Sequence, residues 1–252
     1  MPSPRPIGIV GGVGPMAGLD LVRKITAATR ARCDQDHLPV TLVSHPHRIA
    51  DRTDFLLGRT AINPGLALAD LADTLITGGA EIIGIPCNTA HAPAIIACVR
   101  ERIGGRAEFV DLIEAVADEI RHRFPDARRV GVLSTTGTLA ARVYPDRLGP
   151  LGLDVIAPPP SVQETDVHPA IYDPTYGVKS VSAPVNDRAV AGLRAGLDHL
   201  VGAGAEVVVL ACTEIPLALS MTEVGGVPML DATRVLARAL VRRSCPEVLT
   251  EA

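Results

Sequence analysis

Apolar positions along the chain fall into two kinds of run. Short, nearly continuous ones lie at 7–10, 40–43, 82–85, 130–133, 153–156 and 207–210, the pattern of strands buried on both faces of a parallel sheet. Longer segments repeat with helical spacing, as in Leu68, Leu71, Ala72, Leu75 and Ile76, and again in Val190, Leu193, Leu197, Leu200 and Val201. Each stops at glycines, Gly78 and Gly79 or Gly202 and Gly204, which suit helix C-termini. Further strands are expected at 108–111 and 227–231, each running into a helix.

These elements occur twice in the same order. Gly79-Ala80-Glu81 and Gly204-Ala205-Glu206 each lead into an apolar run, and Cys87 and Cys212 each follow their glutamate by six positions. Upstream, 7–10 opens through Gly11-Gly12-Val13-Gly14-Pro15, and 130–133 through Ser134-Thr135-Thr136-Gly137-Thr138. Both read as a strand turning through small residues into a helix. Long polar, proline-containing loops are expected at 44–62 and 157–185. The resulting β-α-β-loop-α-β-α-β halves predict an α/β fold of two similar parallel-sheet, three-layer domains. One domain comprises 1–112 plus 230–252 and the other 113–229. In open α/β sheets ligands bind beyond the carboxyl ends of strands. Halves related by a pseudo-twofold would therefore bring both cysteines to the walls of one cleft.

Composition narrows the partners. The 252 residues carry a formal charge of −4, with three Phe, three Tyr and no Trp. Neither a basic field for phosphate backbones nor aromatic platforms for bases is present in the sequence, so nucleic acid is not an expected partner. No apolar stretch reaches the ~18 residues of a membrane span. The glycines and Pro15 that interrupt 7–19 argue against reading it as a secretory segment. Five cysteines, an odd number with no Cys-x-x-Cys pair, are expected to be free thiols in a reducing cytoplasm. Lys24 and Lys179 are the only lysines, which weakens a Schiff-base cofactor reading.

Two thiols flanking one carbon are suited to inverting it. One thiolate removes the Cα proton and the opposing thiol delivers another to the far face, each sulfur about 3–3.5 Å from Cα. A helix N-terminus after Pro86-Cys87-Asn88-Thr89 would lower a thiol pKa, giving a resting pair of one thiolate and one thiol. The carbanion needs donors aimed at the substrate carboxylate. Asn88, Thr89, Thr213, Ser134, Thr135 and Thr136 are candidates, with Gly12 in the glycine-rich turn. His91, four after Cys87, is expected either to tune the thiol or to be a packed, satisfied histidine. Glu214, two after Cys212, is expected either to orient the thiol or to cap a helix.

Several motifs together resemble those of the cofactor-independent aspartate/glutamate racemases, and of their aspartate racemase branch. They are Ile7–Pro15, Asp51-Arg52-Thr53, Pro86-Cys87-Asn88-Thr89-Ala90-His91, Thr135-Thr136-Gly137-Thr138, Ile171-Tyr172 with Gly177-Val178-Lys179, and Ala211-Cys212-Thr213-Glu214-Ile215-Pro216. The resemblance implies Cys87 and Cys212 as the acid/base pair, Arg52 and Lys179 as contacts to substrate carboxylates, no cofactor, no metal and a homodimer. Ser44-His45-Pro46-His47-Arg48-Ile49-Ala50 departs from the family pattern, which leaves glutamate or another amino acid open beside aspartate. Competing readings are a hydantoin racemase, a maleate isomerase or an arylmalonate decarboxylase on the same scaffold, or a non-catalytic amino-acid-binding protein. Nucleotide binding at the glycine turn and metal binding at His45 and His47 are weaker readings. Arg52 has a structural alternative as an ion-pair partner of Asp51 or Asp54.

Overall fold

The computed structural model describes residues 3–251, in an α/β fold with two mainly parallel sheets. The chain divides into two compact units: one runs from the N-terminal end to Ala115 and resumes at Thr233, and the other spans Val116–Ala232.

The first unit contains β1 (Ile7–Gly11), α1 (Pro15–Ala28), β2 (Val40–Ser44), α2 (Arg52–Leu56), α3 (Pro64–Thr77), β3 (Ile82–Gly84), α4 (Pro93–Ile103), β4 (Glu108–Val110) and the start of α5 (Leu112–Arg123). Its strands lie in the order β2-β1-β3-β4, all parallel. The apolar runs at 7–10 and 82–85 are buried throughout.

The second unit continues with β5 (Arg129–Ser134), α6 (Thr136–Ala140), α7 (Pro145–Leu148) and β6 (Asp154–Ile156). Then come α8 (Pro160–Val162), α9 (His168–Tyr172), α10 (Asp187–Gly202), β7 (Val207–Ala211), α11 (Ile215–Ala218), β8 (Glu223–Val224) and β9 (Val227–Asp231). Strand order is β6-β5-β7-β9-β8, parallel except for β8, which pairs antiparallel to β9. The sequence pattern did not reveal β8, because two residues are too short to show a period. The chain then returns to the first unit through α12 (Ala232–Ser244).

The internal repeat is visible in side-chain packing. A Cβ on Gly8 would lie 2.8 Å from Ala80 Cβ and 3.1 Å from Leu75 Cβ; one on Gly131 would lie 3.0 Å from Ala205 Cβ and 3.2 Å from Leu200 Cβ. In each sheet a helix thus crosses close over its first strand, and the Ala of each Gly-Ala-Glu is the contact. Any side chain at either glycine would push helix from sheet and forfeit apolar burial worth about 25 cal/mol per Å².

The expected loop at 157–185 is a correction. Its first half is helical: α8 and α9 are joined by a π-helical turn, Gln163–Val167. The apolar face is Val167, Ala170 and Ile171, all buried against Leu193 and Leu197 of α10. Polar residues and prolines masked this face in the sequence. The π turn lies just before Pro169, whose missing N–H and ring oppose a regular α-helical turn.

Candidate active site

Each unit presents a cysteine on the loop beyond the carboxyl end of its central strand. In the first unit β3 ends at Gly84 and the chain runs through Pro86 to Cys87, whose N–H bonds back to Ile85 O at 2.9 Å. Cys87 is 6% exposed, and Asn88, Thr89 and His91 beside it are buried. Only a three-residue turn, Thr89–His91, precedes α4, so no long helix points its N-terminus at this thiol. The His91 ring is fully used by backbone: Nδ1 lies 2.8 Å from Cys87 O, and Nε2 accepts the Leu112 N–H at 3.2 Å. This arrangement requires a neutral ring protonated at Nδ1. Burial pulls the His91 pKa below its ordinary value. His91 therefore ties the cysteine loop to the start of α5, where Asp111 accepts the N–H groups of Ile113 and Glu114 at 2.8 and 3.0 Å. Of the two readings of His91, packing is the observed one.

Arg52 opens α2 and is 7% exposed, its Nη1 donating to Ala50 O at 3.5 Å. Asp51 caps this helix through Asp54 N–H, and Asp54 pairs with Arg59. The helix α2 packs against the Thr89–His91 turn, which puts the Arg52 segment and the Cys87 loop side by side. Gly12, at the end of β1, has φ +82° and a Cβ there would meet Pro46 N at 3.0 Å and His45 N at 3.1 Å. Both the left-handed backbone and the close approach of the 45–46 backbone demand glycine.

In the second unit β7 ends at Ala211 and Cys212 follows, 5% exposed. Its Sγ donates to Glu214 Oε2 at 3.1 Å, while Glu214 Oε1 lies 2.9 Å from Lys179 Nζ. Thr213 Oγ1 is 3.5 Å from the same Oε2. Glu214 makes no side-chain cap to α11, so it orients the thiol. Burial, then the Glu214 charge, push the Cys212 thiol well above its ordinary range, against a smaller opposing pull from Lys179. This direction is opposite to the lowering that a helix N-terminus gives a thiol. The helix α11 has only four residues, and desolvation of the thiolate dominates.

Lys179 is held by a tight turn that folds back on α9. Val178 and Lys179 N–H groups satisfy Ala170 O and Ile171 O at 2.9 and 3.1 Å. A Cβ at Gly177 would lie 2.6 Å from Asp173 N, so the turn closes only with glycine. The ammonium also lies 5.4 Å from the Tyr172 ring centroid, and Tyr172 stacks on His168 at 4.9 Å. His168 Nδ1 in turn meets Thr136 Oγ1 at 3.2 Å.

The remaining donor candidates lie at the end of β5 and just beyond it. Ser134 Oγ donates to Thr135 O at 3.3 Å, and Thr135 Oγ1 accepts Thr138 N–H at 3.2 Å as the cap of α6. Gln163, absent from the candidates drawn from sequence, is buried and donates from Nε2 to Ser134 O at 3.1 Å and to Thr136 Oγ1 at 3.3 Å. Its helical spacing with Val167 and Ala170 was the available signal.

Lys24 is buried on α1 in an ion pair with Asp20. Among the described residues no three His, Cys, Asp or Glu side chains gather as a metal-binding group. Among the described residues no helix is long and apolar enough to cross a membrane.

A family model for the Asp/Glu/Hydantoin racemases matches residues 10–240. The chain belongs to this family, which places it among the amino-acid racemase enzymes. A solved aspartate racemase homologue from Pyrococcus horikoshii superposes with a TM-score of 0.72 at 26% identity, covering 95% of this chain and 99% of that one. The aspartate racemase of Picrophilus torridus shares the fold, with a TM-score of 0.75 at 24% identity over 95% and 94% of the two chains. A glutamate racemase from Beutenbergia cavernae is 28% identical over 69% of this chain and 56% of its own length. The chain thus matches little more than half of that relative.

Proposed function

We propose that the protein is a cofactor-independent racemase that interconverts L- and D-aspartate, with Cys87 and Cys212 acting from opposite faces of Cα. The observation that carries this reading is the matched provision of the two units. Each has a buried thiol beyond its central strand, and each has a cation on a neighbouring segment of its own, Arg52 on α2 and Lys179 on the turn after α9. Family membership supports the reaction type. The two cations suit a substrate with two carboxylates, one of them the α-carboxylate onto which carbanion charge delocalises.

In the proposed reaction one thiolate takes the Cα proton, and the electron pair passes into the carboxylate held by the cations and by donors among Asn88, Thr89, Thr136 and Thr213. The opposing thiol then protonates the other face. Nothing in this chemistry calls for a prosthetic group or a metal. The thiols must stay reduced, so we place the protein in the cytoplasm, and as a homodimer, the assembly implied by the resemblance.

Incubation with L- or D-aspartate in deuterated water, without added cofactor, tests the reading. Loss of the Cα–H resonance together with appearance of the antipode is expected, faster for aspartate than for glutamate. Absence of both changes with either amino acid would refute it; a faster reaction with glutamate would reassign the substrate.

A further inference from the structure

We propose that Glu214 is the positioning residue that keeps Cys212 protonated in the resting enzyme, so that Cys212 opens a turnover as proton donor and Cys87 opens it as base. The catalytic consequence rests on the two-thiol reading; the effect of Glu214 on the thiol does not.

The geometry is that of a carboxylate shared between an acid and a cation. One oxygen accepts the Cys212 S–H at 3.1 Å and the other meets the Lys179 ammonium at 2.9 Å. The Glu214 side chain is 3% exposed and that of Lys179 18%, so little solvent screens the charge from the thiol. Cys212 belongs to the apolar core cluster of the second unit, together with Ile171, Val178 and Ile215. The charges that act most on this sulfur are those of Glu214 and Lys179. A thiolate at Cys212 would lose its hydrogen bond to Oε2, face a buried carboxylate across about the same distance and forfeit hydration. All three effects favour the S–H form.

In the loop around Cys87 the position that matches Glu214 is held by Thr89, a hydroxyl without charge. In the opening turnover the Cα–H bond breaks, its proton binding the Cys87 sulfur and its electron pair remaining on the substrate. The Cys212 S–H bond then breaks, its proton forms the new Cα–H bond on the opposite face, and Cys212 is left as the thiolate. The reverse reaction starts from that less stable form. Glu214 therefore makes the two thiols unequal at rest.

The test is the pH profile of alkylation by iodoacetamide on the full chain, resolved by cysteine through mass spectrometry. In the wild type the Cys212 midpoint is expected clearly above the ~8.5 of a free thiol. Glu214→Gln keeps the shape but removes the charge and leaves Lys179 in place. It should lower the midpoint by at least one pH unit, a tenfold rise in thiolate at fixed pH. Glu214→Asp keeps the charge and should keep the midpoint raised. A wild-type midpoint at or below the free value, an unchanged midpoint in Glu214→Gln, or the same fall in Glu214→Asp would each overturn the proposal. If Glu214→Gln fails to fold, Glu214→Ala takes its place, since it also removes the charge and should lower the midpoint; an unchanged midpoint there would overturn the proposal. Failure of aspartate to racemise would remove the proposed reaction and leave this titration standing. An unmoved midpoint with intact racemisation would remove only the role of Glu214.

Discussion

The loops Cys87-Asn88-Thr89 and Cys212-Thr213-Glu214 are the same device set in two different electrostatic surroundings. Both follow a buried parallel strand, and both sulfurs are almost fully covered. Two positions on they diverge, to a hydroxyl at Thr89 and a carboxylate at Glu214. Four positions on they diverge again, to His91 and Pro216. The first loop is held by a neutral imidazole spanning two backbone groups. The second is organised by a partly buried ion pair. The difference teaches that the repeat decides where a thiol sits, while the few residues after it decide which polar groups surround it.

The largest expected effect tests the common part of the comparison. Cys87→Ser and Cys212→Ser should each reduce racemisation by roughly 10²–10⁴-fold, the range for a positioned acid or base, with circular dichroism unchanged. A large loss at one and near-native turnover at the other would break the equivalence of the two loops.

Replacing the cations is the next step down. Lys179→Met should raise KM for aspartate about 10- to 100-fold, in line with ~1.5–3 kcal/mol for a hydrogen bond to a charged group. Arg52→Met should do the same if the two units bind carboxylates alike; an unchanged KM at either would assign that cation a structural role.

His91→Gln sharpens what is particular to the first loop. The His91 pKa is pulled below 6.5 in the fold by burial, with Asp111 and Glu114 opposing and Arg100 assisting. The unfolded chain therefore binds more protons just below pH 6.5, and the stability tied to this group is complete above that value and lost as pH falls toward the folded value. The melting temperature of the wild type should fall on acidification through this window. The variant should have a lower melting temperature at pH 8, from a lost buried hydrogen bond of ~1–3 kcal/mol, and a flatter acid limb. A steep limb retained in the variant would assign the pH dependence to another group.

Thr135→Ala has the smallest expected effect. It removes the cap of α6 and should cost about 1 kcal/mol in urea denaturation, with KM unchanged because that hydroxyl is engaged within its own turn. A raised KM would instead place Thr135 at the substrate.

The parallel strands were legible because runs such as 82–85 and 207–210 are apolar without interruption, and the crossing helices because Leu68, Leu75, Leu193 and Leu200 recur at helical spacing. The positions of Cys87 and Cys212 beyond their strands followed from the Gly-Ala-Glu repeat. Less legible was the helical stretch from α8 to α9, where Pro160, Pro169 and several polar residues hide a short apolar face that becomes evident only against α10. Gln163 was missed for the same reason. The roles of His91 and Glu214 each had two readings, since a spacing of four or two residues does not say which way a side chain turns.

The sequence by itself determined the α/β class, the internal repeat, the family and the two thiols set at matching strand ends. These depend on periodicity and local order, which a linear chain carries directly. Only the tertiary structure decided that Glu214 lies between Cys212 and Lys179, that His91 is spent on backbone, and that Lys24 is locked to Asp20. Such pairings depend on burial, which removes competing water and makes a neighbour across 35 positions of sequence, Lys179 to Glu214, matter more to a sulfur than the helix beside it.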